Sequence, residues 1–425
     1  MMATTVKRVA IGFLATSFLI CVGSLRASAA TAPACDSGNG GITLPQGFCA
    51  LVVADGLGAA RHAVVAPNGD LFVGLQDGGI VALHDSTGNG KFDVQEKFGT
   101  GSVTGIGFHD GYLYFATPLT VERYKWSPGQ LKPTDASEVV VSGFPTEHEH
   151  HDKGLTFDHH EHLYVNVGAP SNACQSRDRQ AGIVGMDPCP ILERHGGAWM
   201  FDANKLGQTQ ATGVRFATGM RQFPALTWHD HALYIVMNNR DQLDTLWPKS
   251  FTAEENATLP AEPMYRAVMG SNFGWPYCFF NYKTQKLVLN PEYGGDGTKV
   301  GRCSQYKLPI ASFPAHWAPV DVMFYSGHQF PARYRGGAFI AFHGSWNRAP
   351  LPQAGYNVTF QPFAGGKPSD QYEVFADGFK GKGPLMDPSA AVARPDGIAQ
   401  APDGSIYITD SQKGKIWRVF YRGKK

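Results

Sequence analysis

The chain alternates short apolar segments with turns rich in glycine, aspartate, histidine and proline. Six of these segments share one pattern, in which one or two turn residues precede a strand of alternating apolar and aromatic side chains. The six phrases occupy residues 67–73, 109–115, 158–165, 228–235, 334–340 and 402–408. A strand-and-turn unit that recurs at about the length of a four-stranded sheet is typical of a propeller. The pattern therefore predicts an all-β fold, a six-bladed β-propeller.

Two long irregular segments interrupt the repeat. Residues 169–197 and 240–300 are rich in asparagine, aspartate, proline and glycine, and a cysteine pair lies in or beside each segment. Loops of this length inside a compact domain are usually functional. We expect them to be long stapled loops on one face of the propeller. The last strand pattern, 416–420, is expected to complete a blade begun near the mature N-terminus, so that residues 30–425 form one domain.

Composition agrees with a large β protein. Hydrophobic residues make up 43% of the 425 residues and charged residues 17%, with 50 glycines and 28 prolines. These proportions favour many short strands joined by tight turns. The net charge is +1 and no basic stripe is interleaved with aromatic residues, which argues against nucleic acid as a partner.

The N-terminus predicts export. Lys7 and Arg8 precede an uncharged run over 9–22, and small residues follow at 27–29. Residues 1–29 are therefore predicted to be a cleaved secretory signal peptide, and the protein is predicted to be periplasmic or secreted. The run is too short to span a membrane comfortably, and no other uncharged run approaches that length, so no membrane span is expected.

The cysteines predict disulfide bonds. Removal of Cys21 with the signal peptide leaves an even number in an oxidising compartment: Cys35, Cys49, Cys174, Cys189, Cys278 and Cys303. Several pairings are possible. The nearest-neighbour pairing, 35–49, 174–189 and 278–303, is favoured because it closes short loops without crossing blades. A zinc site is the alternative, but the sequence has no C-x-x-C and no tight Cys/His spacing.

A weaker motif lies at 85–96. Its first residues, with Glu96 at the twelfth position, approximate a calcium-binding loop. Strand patterns flank it where such a loop has helices. We therefore interpret it as a surface hairpin turn.

Four of the six phrases have a chemically capable residue about one strand and one turn upstream, namely Arg61, His150, Arg221 and Arg394. In a propeller, the innermost strand of each blade runs along the central channel and the next strand returns after a turn. The upstream spacing therefore places these residues at the starts of inner strands. We expect them to line one mouth of the channel, although Arg61 is also open to a purely bracing role in the first blade.

The candidate chemistry combines a base with cations. His150 belongs to the densest titratable cluster of the chain, residues 147–154, and a neutral imidazole beside carboxylates is a common general base. A solvated polar loop and a histidine-rich metal patch are the alternatives. Arg221, Arg348 and Arg394, if they face one mouth, predict an anionic ligand with several carboxylates, whereas each alone is more often a surface or blade-bridging residue.

Five motifs together resemble the soluble quinoprotein sugar dehydrogenases, in particular the sorbosone or pyranose dehydrogenase branch. They lie at 219–221, 238–241, 272–276, 343–348 and 393–395, the last of which leads into 402–404. The resemblance covers most of residues 45–422. It implies a six-bladed propeller that holds pyrroloquinoline quinone (PQQ) with a calcium ion at the channel mouth and oxidises a sugar or an aldehyde hydrate.

The resemblance also implies roles for single residues. His150 occupies the position of the family's catalytic base, and Arg221 would stabilise negative charge on the reduced cofactor. Calcium would be held largely by backbone carbonyls of the segment that matches 239–241, here Asn239 and Arg240. The expected cofactor-binding side chains are Arg61, Lys153, Arg221, Gln222, Arg348 and Arg394.

Two departures from the family pattern bear on these roles. This chain has Gln222 after Arg221 where relatives have asparagine, and Lys153 lies where an arginine is expected, so that it could replace this arginine as a carboxylate partner. His148 and His151 remain alternative candidates for the base.

The implied function is the oxidation of an aldose, pyranose or sorbosone-type substrate by a monomer or homodimer. Because the chain lacks a haem-attachment motif, an external cytochrome or quinone is expected to accept the electrons. Two other functions remain open. One is a non-catalytic secreted propeller that binds glycan or protein. The other is a calcium-dependent lactonase, whose axial metal needs carboxylates and asparagines where this channel mouth is expected to offer mostly arginine and histidine.

Overall fold

The computed structural model describes residues 1–3, 5 and 33–423. The predicted signal peptide, 1–29, lies outside the described residues except for 1–3 and 5. The described residues from Pro33 onward form one compact unit, and its six four- and five-stranded sheets form the blades of a β-propeller, which confirms the predicted fold. No helix in the described part of the chain is long and apolar enough to cross a membrane.

The strands follow the chain from blade to blade. Strand β1 is Phe48–Ala54. Blade 1 contains β2 (Ala60–Val65), β3 (Leu71–Leu75), β4 (Ile80–His84) and β5 (Val94–Phe98). Blade 2 contains β6 (Ile106–His109), β7 (Tyr112–Ala116), β8 (Val121–Lys125) and β9 (Glu138–Ser142). Blade 3 contains β10 (Leu155–Phe157), β11 (His162–Val167) and β12 (Gly197–Asp202); β13 (Gln208–Thr209) joins the edge of blade 2, and β14 (Val214–Thr218) completes blade 3.

The second half of the ring repeats this order with longer connections. Blade 4 contains β15 (Gln222–His229) and β16 (Ala232–Asn238), then, after helices α1 (Leu243–Leu246) and α2 (Ala253–Thr258), β17 (Glu262–Ala267). Next come β18 (Ser271–Asn272) on the edge of blade 3, the hairpin β19 (Cys278–Asn281) and β20 (Lys286–Leu289), and β21 (Ala311–Phe313) of blade 4. Blade 5 contains β22 (Pro319–Phe324), β23 (Ala338–Phe342) and β24 (Asn357–Gln361), followed by the hairpin β25 (Phe363–Ala364) and β26 (Lys367–Pro368), and β27 (Glu373–Ala376). Blade 6 contains β28 (Pro395–Gln400), β29 (Ile406–Asp410), β30 (Ile416–Tyr421) and β1.

Each repeated phrase forms the second strand of a blade: β3, β7, β11, β16, β23 or β29. Alternate side chains of these strands enter two different apolar clusters. In β11, Leu163 and Val165 belong to the cluster shared with blade 2, whereas Tyr164 belongs to the cluster shared with blade 4. Because a blade is covered on both faces, both sets of alternating positions are apolar. Each large buried side chain contributes roughly 1.5–3 kcal/mol, so these clusters hold the ring together.

The ring closes through its two ends. Strands β1 and β30 pair antiparallel, from Phe48 opposite Tyr421 to Ala54 opposite Ile416, which confirms that the last strand completes a blade begun near the N-terminus. The disulfide Cys35–Cys49 ties the segment before β1 to that strand.

The other two disulfides staple loops of the propeller, and all three join cysteines as the nearest-neighbour pairing predicts. Cys174–Cys189 closes the loop 168–196 between β11 and β12. Cys278–Cys303 closes the loop 268–310 between β17 and β21. Both bridges lie in one buried apolar cluster, so these two stapled loops pack on each other.

Residues 85–90 form a turn between β4 and β5. The Asp85 carboxylate accepts hydrogen bonds from the backbone N–H groups of Asn89 and Gly90. The interpretation of this motif as a hairpin turn is confirmed, because the strands on either side of it pair antiparallel.

Candidate active site

A cavity of about 430 Å³ lies at the end of the channel where the inner strands begin. Arg61 lies at the start of β2, Arg221 directly precedes β15, and Arg394 directly precedes β28. His150 lies in the loop that leads into β10. All four residues line the cavity, whose size is typical of small-molecule sites. The structure thus brings together the residues that the repeat spacing predicts at one mouth.

His150 is oriented to accept a proton. Its Nδ1 lies 2.5 Å from the carbonyl oxygen of Ala169. Because a carbonyl only accepts hydrogen bonds, Nδ1 carries the proton and Nε2 keeps its lone pair. Burial, reinforced by the charge of Arg221, lowers the pKa of His150 to about 3, so the ring is neutral near pH 7. The packing here requires glycine at 168, because a Cβ would lie 2.4 Å from the His150 carbonyl oxygen.

The two neighbouring histidines face another part of the surface. His148 and His151 line an adjacent groove of about 600 Å³, and their ring centroids are 5.9 Å apart. His150 is the histidine of this loop that lines the cavity.

Arg221 is held by the segment that follows β16. Its Nη1 donates to the carbonyl oxygen of Asn239 at 2.8 Å, and its Nη2 donates to Asp241 Oδ2 at 2.6 Å. Burial tends to raise the pKa of Asp241, but Arg221 and His316 outweigh burial and hold this pKa well below its usual range. Asp241 is therefore ionised. The third guanidinium nitrogen of Arg221, Nε, is buried without a hydrogen-bond partner.

Arg61 joins two segments across the channel. Its Nη2 donates to Asp152 Oδ2 at 2.6 Å, and its Nη1 donates to Asp396 Oδ2 at 3.1 Å. Burial raises the pKa of Asp396 to about 6 although Arg61 opposes the shift. Because Asp152 follows His150 closely in the chain, Arg61 also restrains the loop that carries His150.

Arg394 has a different environment. Its Nε donates to the carbonyl oxygen of His343 at 3.1 Å, and its Nη2 donates to that of Gly344 at 2.8 Å. The guanidinium lies 5.2 Å from the ring centroid of Tyr356, and burial lowers the pKa of Arg394. Within residues 33–423, no carboxylate forms an ion pair with Arg394. Its charge is therefore available to an anionic ligand.

Two basic residues expected at the site lie outside the cavity lining. Arg348 donates from Nη1 to the carbonyl oxygen of Ala315 at 2.9 Å and from Nε to that of Pro352 at 3.3 Å. Lys153 donates to the carbonyl oxygen of His151 at 2.7 Å, and burial lowers the pKa of Lys153 to about 8.

Of the remaining expected residues, two line the cavity and the side chain of a third does not. Gln222 and Asn239 line the cavity, and Gln222 Oε1 is buried without a hydrogen-bond partner. The Arg240 side chain is absent from the lining and forms a buried ion pair with Glu292. Across the described residues, no group of three or more histidine, cysteine, aspartate or glutamate side chains is placed to hold a metal ion.

Several lining residues were not predicted. Asp241 and Asn347 lie inside the family-like motifs, but only the structure shows that Asn347 Nδ2 donates to Asp241 Oδ1 at 2.5 Å. Arg179 extends from the stapled loop 168–196, and its Nη2 donates to Glu149 Oε1 at 2.6 Å. Their motifs were a signal for Asp241 and Asn347, whereas neither the pairing of these two residues nor the position of Arg179 had one.

Glu262 was also missed. Its Oε2 accepts a hydrogen bond from the backbone N–H of Asn239 at 2.7 Å, and burial raises the pKa of Glu262 to about 7. Glu262 begins β17, and nothing in the local pattern distinguishes it from a surface glutamate.

The cavity wall offers cationic side chains to an anionic ligand. Arg61 and Arg221 line the cavity, and Arg394 has no carboxylate partner among the described residues. A ligand with several carboxylate oxygens supplies acceptors for guanidinium groups of this kind. The donor set therefore fits a compact polyanionic cofactor such as PQQ, with Nε2 of His150 in the same cavity.

Residues 42–422 match a family model described as TrAA12-like. The chain belongs to this family. A protein of Borreliella burgdorferi, described as uncharacterized, is 34% identical over 260 residues, which are 61% of this chain and 57% of that protein. A pyrroloquinoline quinone-dependent pyranose dehydrogenase of Coprinopsis cinerea is 27% identical over 214 residues, which are 46% of this chain and 26% of that enzyme. The TrAA12-like chain therefore covers less than two thirds of either relative.

Solved structures share the fold of this TrAA12-like chain. The holo form of the pyranose dehydrogenase PQQ domain from Coprinopsis cinerea matches with a TM-score of 0.70 and 16% identity, covering 89% of this chain and 97% of that domain. A calcium structure of the Trichoderma reesei family AA12 enzyme matches with a TM-score of 0.73 and 17% identity, covering 91% and 97% of the two chains. At these identities the likeness shows the fold.

Proposed function

We propose that this TrAA12-like protein is an oxidoreductase that oxidises a pyranose, an aldose or a sorbosone-type aldehyde with bound PQQ and Ca²⁺. One observation carries the proposal: a single cavity holds a neutral His150 with a free Nε2 and an Arg394 that pairs with no described carboxylate. The name of the Coprinopsis relative and the holo PQQ-domain structure support the choice of cofactor.

Arg394 is the proposed main partner of the cofactor carboxylates, and Arg61 and Arg221 line the same cavity. Arg394 forms no ion pair with a described carboxylate, whereas Arg61 and Arg221 each pair with an aspartate. Gln222 lies beside them in the lining. Arg348 and Lys153, which lie outside the lining, are assigned at most an indirect contribution.

The proposed calcium ligands are backbone carbonyl oxygens of Asn239 and Arg240. The Asn239 oxygen accepts one hydrogen bond from Arg221, and a carbonyl oxygen has a second lone pair for a metal ion. Calcium accepts neutral oxygen ligands of this kind.

When bound, PQQ with Ca²⁺ supplies an electron-poor carbonyl that takes up a hydride. His150 accepts the proton of the substrate hydroxyl at Nε2 while the C–H bond of the same carbon gives up its hydride. Ala169 holds Nδ1 throughout, and Glu149 Oε1, 3.7 Å from Nε2, stabilises the imidazolium that forms. Arg221, oriented by Asp241, faces the negative charge that develops. An external cytochrome or quinone is the proposed final acceptor of the two electrons.

The proposed location is the periplasm or the extracellular space. The disulfide bonds are typical of an oxidising compartment, and the sequence predicts a signal peptide over 1–29. Cell fractionation with mass spectrometry of the mature N-terminus tests this location. An N-terminus upstream of residue 29 in a cytoplasmic fraction contradicts it.

The activity is tested with the purified full chain. The protein is treated with a chelator, supplied with PQQ and Ca²⁺, and followed by the absorbance of the quinone and by dye reduction with a panel of pyranoses, aldoses and sorbosone. We expect a changed quinone spectrum and sugar-dependent dye reduction. Absence of both contradicts the proposal, and binding of PQQ without turnover on any sugar favours a binding propeller.

A further inference from the structure

Arg240 lies between the two residues that hold Arg221, yet its side chain is absent from the cavity lining. The carbonyl oxygen of Asn239 and the carboxylate of Asp241 together accept from both Nη atoms of Arg221. The side chain of Arg240 is fully buried against the stapled loop 268–310. Arg240 therefore reaches the cavity through the backbone that it shares with its neighbours.

Glu292 fixes the Arg240 guanidinium from two sides. Nη1 of Arg240 lies 2.5 Å from Glu292 Oε2, and Nη2 lies 3.1 Å from Oε1. Nη1 also donates to Asn290 Oδ1 at 3.0 Å, and Trp247 Nε1 donates to Glu292 Oε1 at 3.0 Å. A bidentate guanidinium–carboxylate pair determines both distance and orientation. The pair therefore sets the position of residue 240.

Glu292 also lies where the two stapled loops meet. Its carbonyl oxygen accepts a hydrogen bond from the N–H of Gly185, in the loop 168–196, at 3.0 Å. Asn172 of that loop donates to the Asp241 carbonyl oxygen and accepts from the Asp241 N–H, both at 2.9 Å. Both loops thus converge on the short segment 239–241.

We propose that Glu292 and Arg240 are positioning residues for Arg221. Their ion pair holds the backbone of 239–241, and this backbone holds the guanidinium that faces the reacting groups. The inference rests on the proposed function for the identity of the cofactor. In this proposal the stapled loop 268–310 orients Arg221, which directly precedes the inner strand β15.

The first test is Glu292→Gln, which removes the charge and keeps the shape. We expect kcat to fall about 10- to 100-fold with little change in the KM for sugar, the range found when partners behind ligands are removed. A second readout needs no cofactor: amide hydrogen exchange over 238–243 is expected to speed up, while exchange in β29 of blade 6 stays unchanged.

Loss of one partner of a buried ion pair can prevent folding. The double variant Arg240→Met with Glu292→Leu keeps the space filled and removes both charges, a replacement that buried pairs often tolerate. We expect it to fold with its disulfides and to show the same faster exchange and lower kcat, because methionine and leucine lack the directional bonds.

The control is Glu138→Gln, which breaks the ion pair with Arg123 in blade 2 and is expected to leave exchange over 238–243 and kcat unchanged. A folded double variant with wild-type exchange over 238–243 and wild-type kcat overturns the inference. Failure of the proposed function looks different: wild-type protein binds no PQQ and oxidises no sugar. In that case the exchange measurement still decides whether the ion pair positions 239–241.

Discussion

The two sides of the cavity differ in whether a protein carboxylate compensates the charge of their arginine. On the stapled side, Arg221 is paired with the ionised Asp241 close to the neutral His150. On the opposite side, formed by blades 5 and 6, Arg394 donates to the carbonyl oxygens of His343 and Gly344. Both arginines directly precede the inner strand of their blade. Equivalent places in the repeat thus have unequal electrostatics.

The difference teaches what each side contributes. Where a protein carboxylate already compensates the guanidinium, a bound anion gains little net charge attraction, and the arginine serves orientation. Where the charge is uncompensated, the arginine contributes affinity. We therefore expect substitutions on the stapled side to lower turnover, and those beside Arg394 to lower cofactor binding.

The largest effect is expected on the stapled side. His150→Gln removes the proton acceptor and should lower kcat about 10²- to 10⁴-fold, the usual contribution of a general base, while PQQ affinity stays near that of the wild type. Dye reduction and absorbance titration measure the two quantities. His148→Gln, outside the cavity lining, is the matched control, and a larger loss of kcat in His148→Gln would assign the base to that histidine.

On the opposite side, Arg394→Gln is expected to weaken PQQ binding about 10- to 100-fold. This corresponds to the roughly 1.5–3 kcal/mol of a hydrogen bond to a charged group. Turnover at saturating cofactor should change far less. Arg348→Gln serves as the control because Arg348 is absent from the cavity lining. Weaker PQQ binding in Arg348→Gln than in Arg394→Gln contradicts the assignment.

Asp241→Asn makes the stapled side of the cavity resemble the side of Arg394, where no carboxylate pairs with the arginine. It leaves Arg221 without its carboxylate, so the guanidinium loses orientation and gains net charge. We expect kcat to fall about 10-fold, as for other supporting groups, without any loss of PQQ affinity. A stopped-flow measurement of turnover alongside a binding titration tests the pair of outcomes. Parallel losses of both quantities would show that charge compensation does not separate the two sides.

The smallest effect concerns pH. The pKa of His150 is lowered to about 3, and the neutral ring is the base, so kcat/KM should not decline as pH falls from 7 to 5, where an ordinary histidine becomes protonated. Arg221→Met removes one cause of the shift and should move the acidic limb toward higher pH. An unchanged acidic limb in this variant, measured between pH 4 and 8, would show that Arg221 does not contribute to the lowered pKa of His150.

Much of the fold follows from local pattern. The six apolar phrases were predictable because both faces of every second strand are covered, so that alternation and turn residues recur at each blade. The same spacing predicts where the inner strands start, and it therefore places Arg221 and Arg394 at the cavity. Cys174 and Cys189 pair as neighbours because their disulfide closes the loop between two adjacent strands of blade 3.

The site could be predicted only in part. Arg348 lies in a family-like motif and Lys153 in the titratable cluster 147–154, and both have suitable residue types, but the direction of a side chain in an irregular loop depends on contacts that the repeat does not specify. Arg179 and Glu262 reach the cavity from segments with no recognisable motif. Their roles depend on where loops cross in space.

By itself the sequence determined the number of blades and the closure of the ring, and predicted the rim positions of Arg61, His150, Arg221 and Arg394, because these features depend on spacing along the chain. It favoured the observed cysteine pairing without excluding the others. Only the tertiary structure decided which arginine charges are compensated. Asp241 follows β16 and Asp396 lies in β28, so each approaches its arginine from another part of the chain. Electrostatic energy depends on distance in space, which sequence separation does not reveal.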